Sequence, residues 1–222
     1  MNGLQAGQVL TFDQLNSYAV NRGGEYEATK QTLYDFQTYP DVGQLRFDFF
    51  SIPQGQGGKT IQDTNMTIAG SLPAPIHYLI SSIEIHLYPD LNPSTFNNTA
   101  GGTVNNFTND IYEILSARAS LDLFIGSKSY LQEAPLMRFP PKTYMDVDSS
   151  NSVAGNGTDV NVATEYAHAC GRPYILNPLN ILLVPTQNFS VRLDFASLVP
   201  TISTVNARIG IVMDGVQYRL SQ

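Results

Sequence analysis

Few residues in this sequence have the chemistry of a catalytic or metal-binding site. Apart from its acids, the chain offers His77, His86, His168 and a single cysteine, Cys170. One cysteine excludes an internal disulfide and any CxxC zinc or redox motif. His168 and Cys170 could present two zinc ligands from one strand, but a zinc site needs about two more and none lie nearby in sequence. We therefore interpret Cys170 as a small, partly buried thiol.

A second candidate is the stretch that contains Glu84, His86 and Tyr88. Residues at i, i+2 and i+4 of a strand share one face, so these three could form a metal or acid–base site. Cupin-type jelly-roll enzymes carry His-x-His with a following Glu and a distant third His, whereas this sequence has Glu-Ile-His with no second His beside it. We interpret the stretch as the polar, half-solvated face of a strand.

The glycine-rich stretch from Gly55 to Thr60, which includes Lys59, is weakly similar to a phosphate-binding loop. Its glycine spacing is wrong and no helix follows it, so a loop between strands is predicted. The sequence also lacks a nucleophile elbow, a dinucleotide fingerprint and paired carboxylates. No catalytic, cofactor-binding or metal-binding residue is predicted, and we expect a protein that is not an enzyme and needs no cofactor.

Charge is scarce in this chain. Of its 222 residues only 14% are charged, and 12 Lys and Arg against 19 Asp and Glu give a formal charge of −7. Average soluble domains have roughly 25% charged residues. Disordered chains have low hydrophobicity, so the hydrophobic content of 42% argues against a disordered protein. An acidic chain is also poorly suited to wrapping nucleic acid. The sequence shows neither a signal peptide nor a membrane span, so we expect synthesis in the cytoplasm.

Hydrophobic alternation predicts an all-β protein with about eight strands and one short helix near residues 109–118. The strands are predicted from Gly43 onward and over 60–69, 76–88, 121–125, 130–139, 174–184, 189–195 and 207–213. Asp214-Gly215 is a tight-turn signal, after which residues 217–220 return as a short strand. Residues 91–106 and 146–162 are predicted loops. An antiparallel β-sandwich of two sheets, as a single jelly-roll barrel, closes such a chain.

Two regions are predicted: an extended N-terminal arm over residues 1–42 and a jelly-roll domain over 43–222. The arm shows one short helical turn around residues 13–18 at most. It holds two basic residues against five acidic ones, which gives −3. Coat proteins that package a bare genome carry a basic arm. We therefore expect this arm to clamp neighbouring subunits and not to bind nucleic acid directly.

Several segments together resemble small jelly-roll capsid proteins of tailless icosahedral bacteriophages. The resemblance spans roughly residues 43–220 and is a pattern of strand cores and turns. Its segments are FFSIPQG at 49–55, DTNM at 63–66, AGSLPAP at 69–75, IEIHL at 83–87, IGSKSY at 125–130 with the residues to Pro140, NFSVRL at 188–193 and DGVQYR at 214–219.

That family builds shells from upright β-barrels, often over an internal membrane, and has no catalytic residues to carry over. The resemblance implies a virion protein, assembled in the host cytoplasm, whose partners are its own copies in a trimer or pseudo-hexameric capsomer. Other capsid proteins and an underlying viral membrane are further partners it implies.

Two other functions stay open at this point. A carbohydrate- or receptor-binding β-sandwich, such as a virion spike or adhesin head, suits the Tyr, Asn and Asp of loops 88–90 and 146–159, although the chain has no Trp for sugar stacking. A cupin-like metalloenzyme would depend on Glu84, His86 and His168 alone.

Overall fold

The computed structural model describes Gln14, Ser17 and residues 26–89, 103–153, 160–170, 172–176, 179–201 and 206–220. Within these ranges the chain forms twelve strands, a 14-residue helix and a short 3-10 turn at Leu136–Arg138. The elements in chain order are β1 Tyr26–Lys30, β2 Leu33–Tyr39, β3 Arg46–Phe49, β4 His77–Pro89, α1 Thr103–Ser116, β5 Ala119–Ile125, β6 Lys128–Glu133, β7 Thr143–Val153, β8 Val160–Cys170, β9 Tyr174–Ile175, β10 Ile181–Leu183, β11 Phe189–Phe195 and β12 Ala207–Leu220. No helix in the described ranges is both long and apolar enough to span a membrane.

The strands form two larger antiparallel sheets and one two-stranded ribbon. In the first sheet β12 lies between β4 on one side and β1 with β2 on the other, and β9 and β10 pair with the far edge of β4. The second sheet has the order β3-β11-β5-β6. β7 and β8 pair with each other over their full length. The predicted class, all-β with antiparallel sheets and one helix, is confirmed.

Both sheets contribute to one hydrophobic core because alternate residues of each strand face inward. In β11 the inward residues Phe189, Val191, Leu193 and Phe195 are all buried, which reproduces the predicted alternation. β12 contributes its own alternate set to the same cluster. Each large apolar side chain buried in this way stabilises the fold by about 1.5–3 kcal/mol.

Residues 26–39 lie in the first sheet instead of in an arm. β1 pairs with the C-terminal half of β12, and β2 pairs with its N-terminal half. β2 was not predicted as a strand because two of its inward positions carry the polar residues Asp35 and Gln37 and so break the hydrophobic alternation. Of the stretch predicted as a helical turn, only Gln14 and Ser17 are described, and both are helical. The rest of the predicted arm before β1 lies outside the described residues.

Three further predictions were wrong. Residues 60–69 form a loop, because Thr64 and Asn65 use their side chains to bond the backbone of β2. Residues 146–162 were predicted as a loop, but β7 and β8 cover most of them. No tight turn interrupts β12 at Asp214-Gly215. The strand continues through a bulge there, where Gly215 has no room for a Cβ, which would lie 2.1 Å from the Leu79 carbonyl oxygen.

Other boundaries moved. The helix spans 103–116 where 109–118 was predicted, β6 ends at Glu133 before the 3-10 turn, and 174–184 divides into β9 and β10. With β1 and the ribbon strands added, the described chain has twelve strands where about eight were predicted.

A buried carboxylate ties the loop after β3 to β2. Asp35 is fully buried and accepts hydrogen bonds from the Phe50 amide at 2.6 Å and the Lys59 ammonium at 2.5 Å. Burial raises the pKa of Asp35, while Lys59 and the Phe50 amide act in the opposite direction. Phe50 has the left-handed φ of 66°, a strained backbone for a large residue, which this amide contact helps to hold.

We predict that Lys59→Met destabilises the fold by about 3–5 kcal/mol, because it leaves the Asp35 carboxylate buried without its cation. Lys128→Met at an exposed position is the matched control and should change the free energy of unfolding by less than about 0.5 kcal/mol. Denaturant titration measures the effect in Lys59→Met, in Lys128→Met, in Asp35→Asn and in the double variant that combines Asp35→Asn with Lys59→Met. Equal stability of Lys59→Met and Lys128→Met would refute the buried pair. The double variant should lose less stability than the sum of the losses in Asp35→Asn and Lys59→Met.

Candidate functional site on the outer face of the first sheet

The outer face of β4 carries the one cluster of candidate residues that the sequence analysis identified correctly as neighbours. Ile83, Ile85 and Leu87 enter the core, so Glu84 and His86 lie on the opposite face. The register of the sheet places Val212 of β12 opposite Glu84 and Gly210 opposite His86.

Glu84, His86 and Tyr88 form a continuous hydrogen-bond network. His86 Nε2 lies 3.0 Å from Glu84 Oε2, and His86 Nδ1 lies 2.6 Å from the Tyr88 hydroxyl. Glu84 is only 3% exposed, and its Oε2 also accepts the backbone amide of Lys142 at 2.8 Å. A neutral imidazole satisfies this arrangement when Nε2–H donates to Glu84 and Nδ1 accepts the Tyr88 hydroxyl.

Both ring nitrogens of His86 are therefore engaged by protein groups. A metal ion bound to His86 would have to displace Glu84 or Tyr88 from one of them. In the part of the chain that the structure describes, no group of three or more His, Cys, Asp and Glu residues could hold a metal ion.

An aromatic residue from β2 covers the network. The ring of Phe36 lies over Gly210, where a Cβ would come within 2.1 Å of Phe36 Cδ1. The ring centroids of His86 and Tyr88 are 6.3 and 6.1 Å from that of Phe36. Arg208 places its guanidinium 4.4 Å from the Phe36 centroid. The packing of Phe36 on Gly210 was not predicted from sequence, although a glycine within a strand pattern is itself a sign of close packing.

Lys142 connects this face to the ribbon of β7 and β8. Its backbone amide bonds Glu84, and its ammonium lies 2.8 Å from Asp214 Oδ2 of β12. The bond to Asp214 raises the pKa of Lys142. Because β7 begins at the next residue, these two contacts fix the base of the ribbon to β4 and β12. The network acts as an anchor for the inserted ribbon.

The remaining candidates lie elsewhere. His168 and Cys170 are on β8, where they pair with Met145 and Thr143, in a different sheet from Glu84 and His86. His77 Nδ1 lies 3.1 Å from the Pro75 carbonyl oxygen. Lys59 of the glycine-rich loop forms an ion pair with Asp35. The lysine that a phosphate loop would direct at its ligand is directed into the protein here.

The outer face of the second sheet carries a row of charges. Arg192 of β11 pairs with Asp48 at 2.9 Å, and Arg46 pairs with Asp194 at 2.7 Å. Asp122 of β5 is buried beside them, and its Oδ1 has no hydrogen-bond partner. Burial and the nearby Asp194 raise the pKa of Asp122.

Comparison with protein-family models, with curated proteins and with solved structures gives no match to this chain. The function must therefore be argued from the fold, the surfaces and the sequence.

We predict that His86→Ala destabilises the fold by about 1–3 kcal/mol, because the buried Glu84 carboxylate loses one of its donors. Tyr88→Phe removes only the exposed end of the network and should cost about 1 kcal/mol or less. Equal losses for the two variants in denaturant titrations would contradict the anchoring role of Glu84.

Asp122 gives a prediction that depends on pH. Because its folded pKa is raised, the folded state binds the Asp122 proton more tightly than the unfolded chain does, and stability falls as pH rises through the folded pKa. Asp122→Asn should therefore be more stable than the wild type by about 1 kcal/mol at pH 7, where the ionised, buried carboxylate keeps one oxygen without a hydrogen-bond partner. The advantage should shrink towards pH 4.

Glu113→Gln is the control, since it removes the same charge from an exposed helix position. Its effect on the free energy of unfolding should stay below about 0.5 kcal/mol at both pH values. An Asp122→Asn advantage that grows on acidification would show that the assigned direction is wrong.

Proposed function

We propose that the two sheets form a jelly roll. Taken in chain order, β2, β3, β4, β5, β6, β10, β11 and β12 are numbered one to eight. The first sheet then has the order 1-8-3-6 and the second the order 2-7-4-5. This is the arrangement of eight strands that two Greek keys produce in a jelly roll. β1 and β9 lengthen the first sheet, and the ribbon is an insertion between strands five and six.

We propose that the protein is a viral structural protein, a capsid subunit that self-assembles into the icosahedral shell of a tailless phage. The strand order is the observation that carries this proposal, since jelly rolls recur in viral capsids. The resemblance of the strand cores and turns to small phage capsid proteins supports it. Lectins and cupins share the architecture. The engagement of both His86 nitrogens favours the capsid over the cupin.

The two ends of the sandwich differ in a way that suits a subunit. At one end Gly126 bonds Asn188, and the connections 126–127 and 184–188 are short. At the opposite end Ala196 bonds Arg118, and α1 leads into β5.

At that second end the segments around residues 41–45 and 195–201 run side by side. They expose three apolar side chains, Val42, Leu45 and Leu198, at 65%, 50% and 57%. Interface centres are apolar and depleted in charge, so we propose this end as a subunit contact.

The N-terminal segment keeps its proposed role as a clamp, with a new boundary. Glu27 pairs with Arg219 of β12, and Asp35 pairs with Lys59 of the glycine-rich loop, so two of the five acids assigned to the arm have basic partners. Residues 1–25, before β1, carry Arg22 against Asp13 and Glu25, and one minus two gives −1. This segment has no basic cluster, which supports a genome packaged without direct contact to it. A deletion that tests the clamp must stop at residue 25.

Size-exclusion chromatography with light scattering tests the proposed function. We expect the purified chain to elute as trimers, larger capsomers or shells built from the 24.4 kDa subunit. Leu45→Ser with Leu198→Ser should weaken this association by at least about tenfold, because it removes the apolar centre of the proposed contact.

Ile68→Ser is the matched control at the opposite end, where the side chain is 44% exposed, and it should leave association unchanged. A monodisperse monomer at every concentration would contradict the capsid proposal. If that monomer also bound to a glycan array, the carbohydrate-binding sandwich would replace it.

A further inference from the structure

The ion pair buried between β2 and the glycine-rich loop places an amine and a carboxyl group in contact. The Lys59 side chain is 10% exposed and the Asp35 side chain is fully buried. Lys59 Nζ lies 2.5 Å from Asp35 Oδ1, and hence roughly 3–3.5 Å from the carboxyl carbon, which is the near-attack range for bond formation. In every other described pair of Lys or Arg with a carboxylate, the basic side chain is at least 33% exposed.

The turns of the glycine-rich loop hold the backbone of Lys59 in place. The Gly55 amide donates to the Lys59 carbonyl oxygen at 2.9 Å, and the Lys59 amide donates to the Gln56 carbonyl oxygen at 3.0 Å. In the described part of the chain, the three protons of the Lys59 ammonium have one hydrogen-bond partner, Asp35. Two buried charges that are poorly hydrogen-bonded are costly, so a reaction that removes both charges is favoured.

The backbone amide of Phe50 is directed at the second carboxyl oxygen of Asp35. It donates to Asp35 Oδ2 at 2.6 Å, from a backbone whose φ of 66° is rare for an aromatic residue. A donor in this position stabilises the negative charge that develops on Oδ2 when a nucleophile adds to the carboxyl carbon. Burial raises the pKa of Asp35, which favours the protonated and more electrophilic carboxyl group, while Lys59 and the Phe50 amide act in the opposite direction.

We propose that Lys59 and Asp35 react in the folded chain to form an amide between their side chains, an isopeptide bond. One proton passes from Nζ to Oδ1, which leaves an uncharged amine beside a carboxylic acid. Nζ adds to the Asp35 carboxyl carbon, a second proton moves from Nζ to Oδ1, and the Cγ–Oδ1 bond breaks to release water. The ammonium and the carboxylate thus give one amide and one water, with no oxidant or reductant. Oδ2 becomes the amide carbonyl oxygen, which the Phe50 amide continues to bind.

The folded state supplies two conditions that the separate groups lack in water. Well-oriented groups within one molecule react with effective molarities of about 10⁵–10⁸ M, which offsets the unfavourable condensation of an ammonium with a carboxylate in water. A buried site also excludes the bulk water that would hydrolyse the product. The bond should therefore form after folding and then persist.

The amide closes a covalent ring over residues 35–59, which contains β3. Such a ring restricts the unfolded chain in the way that a disulfide does. The single cysteine of this chain cannot supply an internal disulfide, and an amide also withstands reductants that break disulfides. This inference goes beyond the proposed function and does not depend on it, because the reaction takes place within one copy of the chain.

Intact-mass spectrometry of the full-length chain, folded for several days and then denatured, tests the proposal. The wild type should be lighter by one water molecule than its sequence requires. Lys59→Arg is the matched control and should keep its full mass, because it retains the positive charge without an amine that forms the amide. Asp214-Gly215 can lose water as a cyclic imide, but that loss would persist in Lys59→Arg. A wild type of full mass, or an equal loss of water in both proteins, would overturn the proposal.

Trypsin digestion of the denatured wild type locates the bond. Because trypsin does not cleave after an acylated lysine, residues 31–46 and 47–118 should be recovered as one branched product. Lys142 is an internal control, since its ammonium lies 2.8 Å from Asp214 but its side chain is 53% exposed. Cleavage after Lys142 should be complete. Complete cleavage after Lys59, or equal amounts of branched product at both lysines, would overturn the proposal.

The outcomes separate this inference from the proposed function. A monomeric wild type that lacks one water and gives the branched product refutes the capsid proposal alone. A wild type that associates but has its full mass refutes the isopeptide bond alone. If Lys59→Arg does not fold, the peptide map of the wild type still decides between an ion pair and an amide.

Discussion

The first sheet depends on the pairing of β12 along both of its edges. β4 pairs with residues 207–218 of this strand on one side, and β2 and β1 pair in succession on the other. Its inward residues Ala207, Ile209, Ile211 and Met213 are all buried in the common core. Without β12 the N-terminal strands would have no sheet to join. Among the described strands, the last one, β12, therefore joins the first two, β1 and β2, to β4.

The pairing of β12 with its neighbours requires glycine at two positions. Gly210 leaves room for the Phe36 ring, and Gly215 lets the backbone approach Leu79 at the bulge. The Phe36 ring in turn lies beside His86, whose partner Glu84 holds the amide of Lys142. A continuous series of side-chain contacts thus connects β2, through β12 and β4, to the base of the ribbon. The same side chains that complete the sheet also position the inserted element.

Strands were predictable from sequence where every inward position is apolar. β4, β5 and β11 meet that condition, and their alternation located them closely. β2 does not, because the burial of Asp35 depends on the Phe50 amide and on Lys59, which both lie outside β2. In β7 and β8 an alternation of Met145, Val147, Val160 and Val162 was present, but many Ser, Asn and Asp residues between them favoured a loop. The polar composition therefore led to a loop prediction, although the hydrophobic periodicity indicated a strand.

The site was predictable only in its local part. The spacing of Glu84, His86 and Tyr88 predicts a shared face, and their hydrogen bonds confirm it. Lys142, Phe36 and Gly210 come from distant positions that only the register of the sheet brings together. Without them the cluster resembles an incomplete metal site, and with them it is an anchor. Glu27 and Asp35, which count towards the negative charge of the predicted arm, are in fact paired with Arg219 and Lys59.

The central proposal is that this chain is an assembly subunit whose main partner is a copy of itself. Electron cryo-microscopy of the purified full-length protein, at concentrations where circular dichroism shows it folded, tests that claim most directly. The account predicts closed, symmetric particles in which each copy is an upright two-sheet barrel that contacts its neighbours through the end carrying Val42, Leu45 and Leu198. Folded but single copies across the whole concentration range would contradict it.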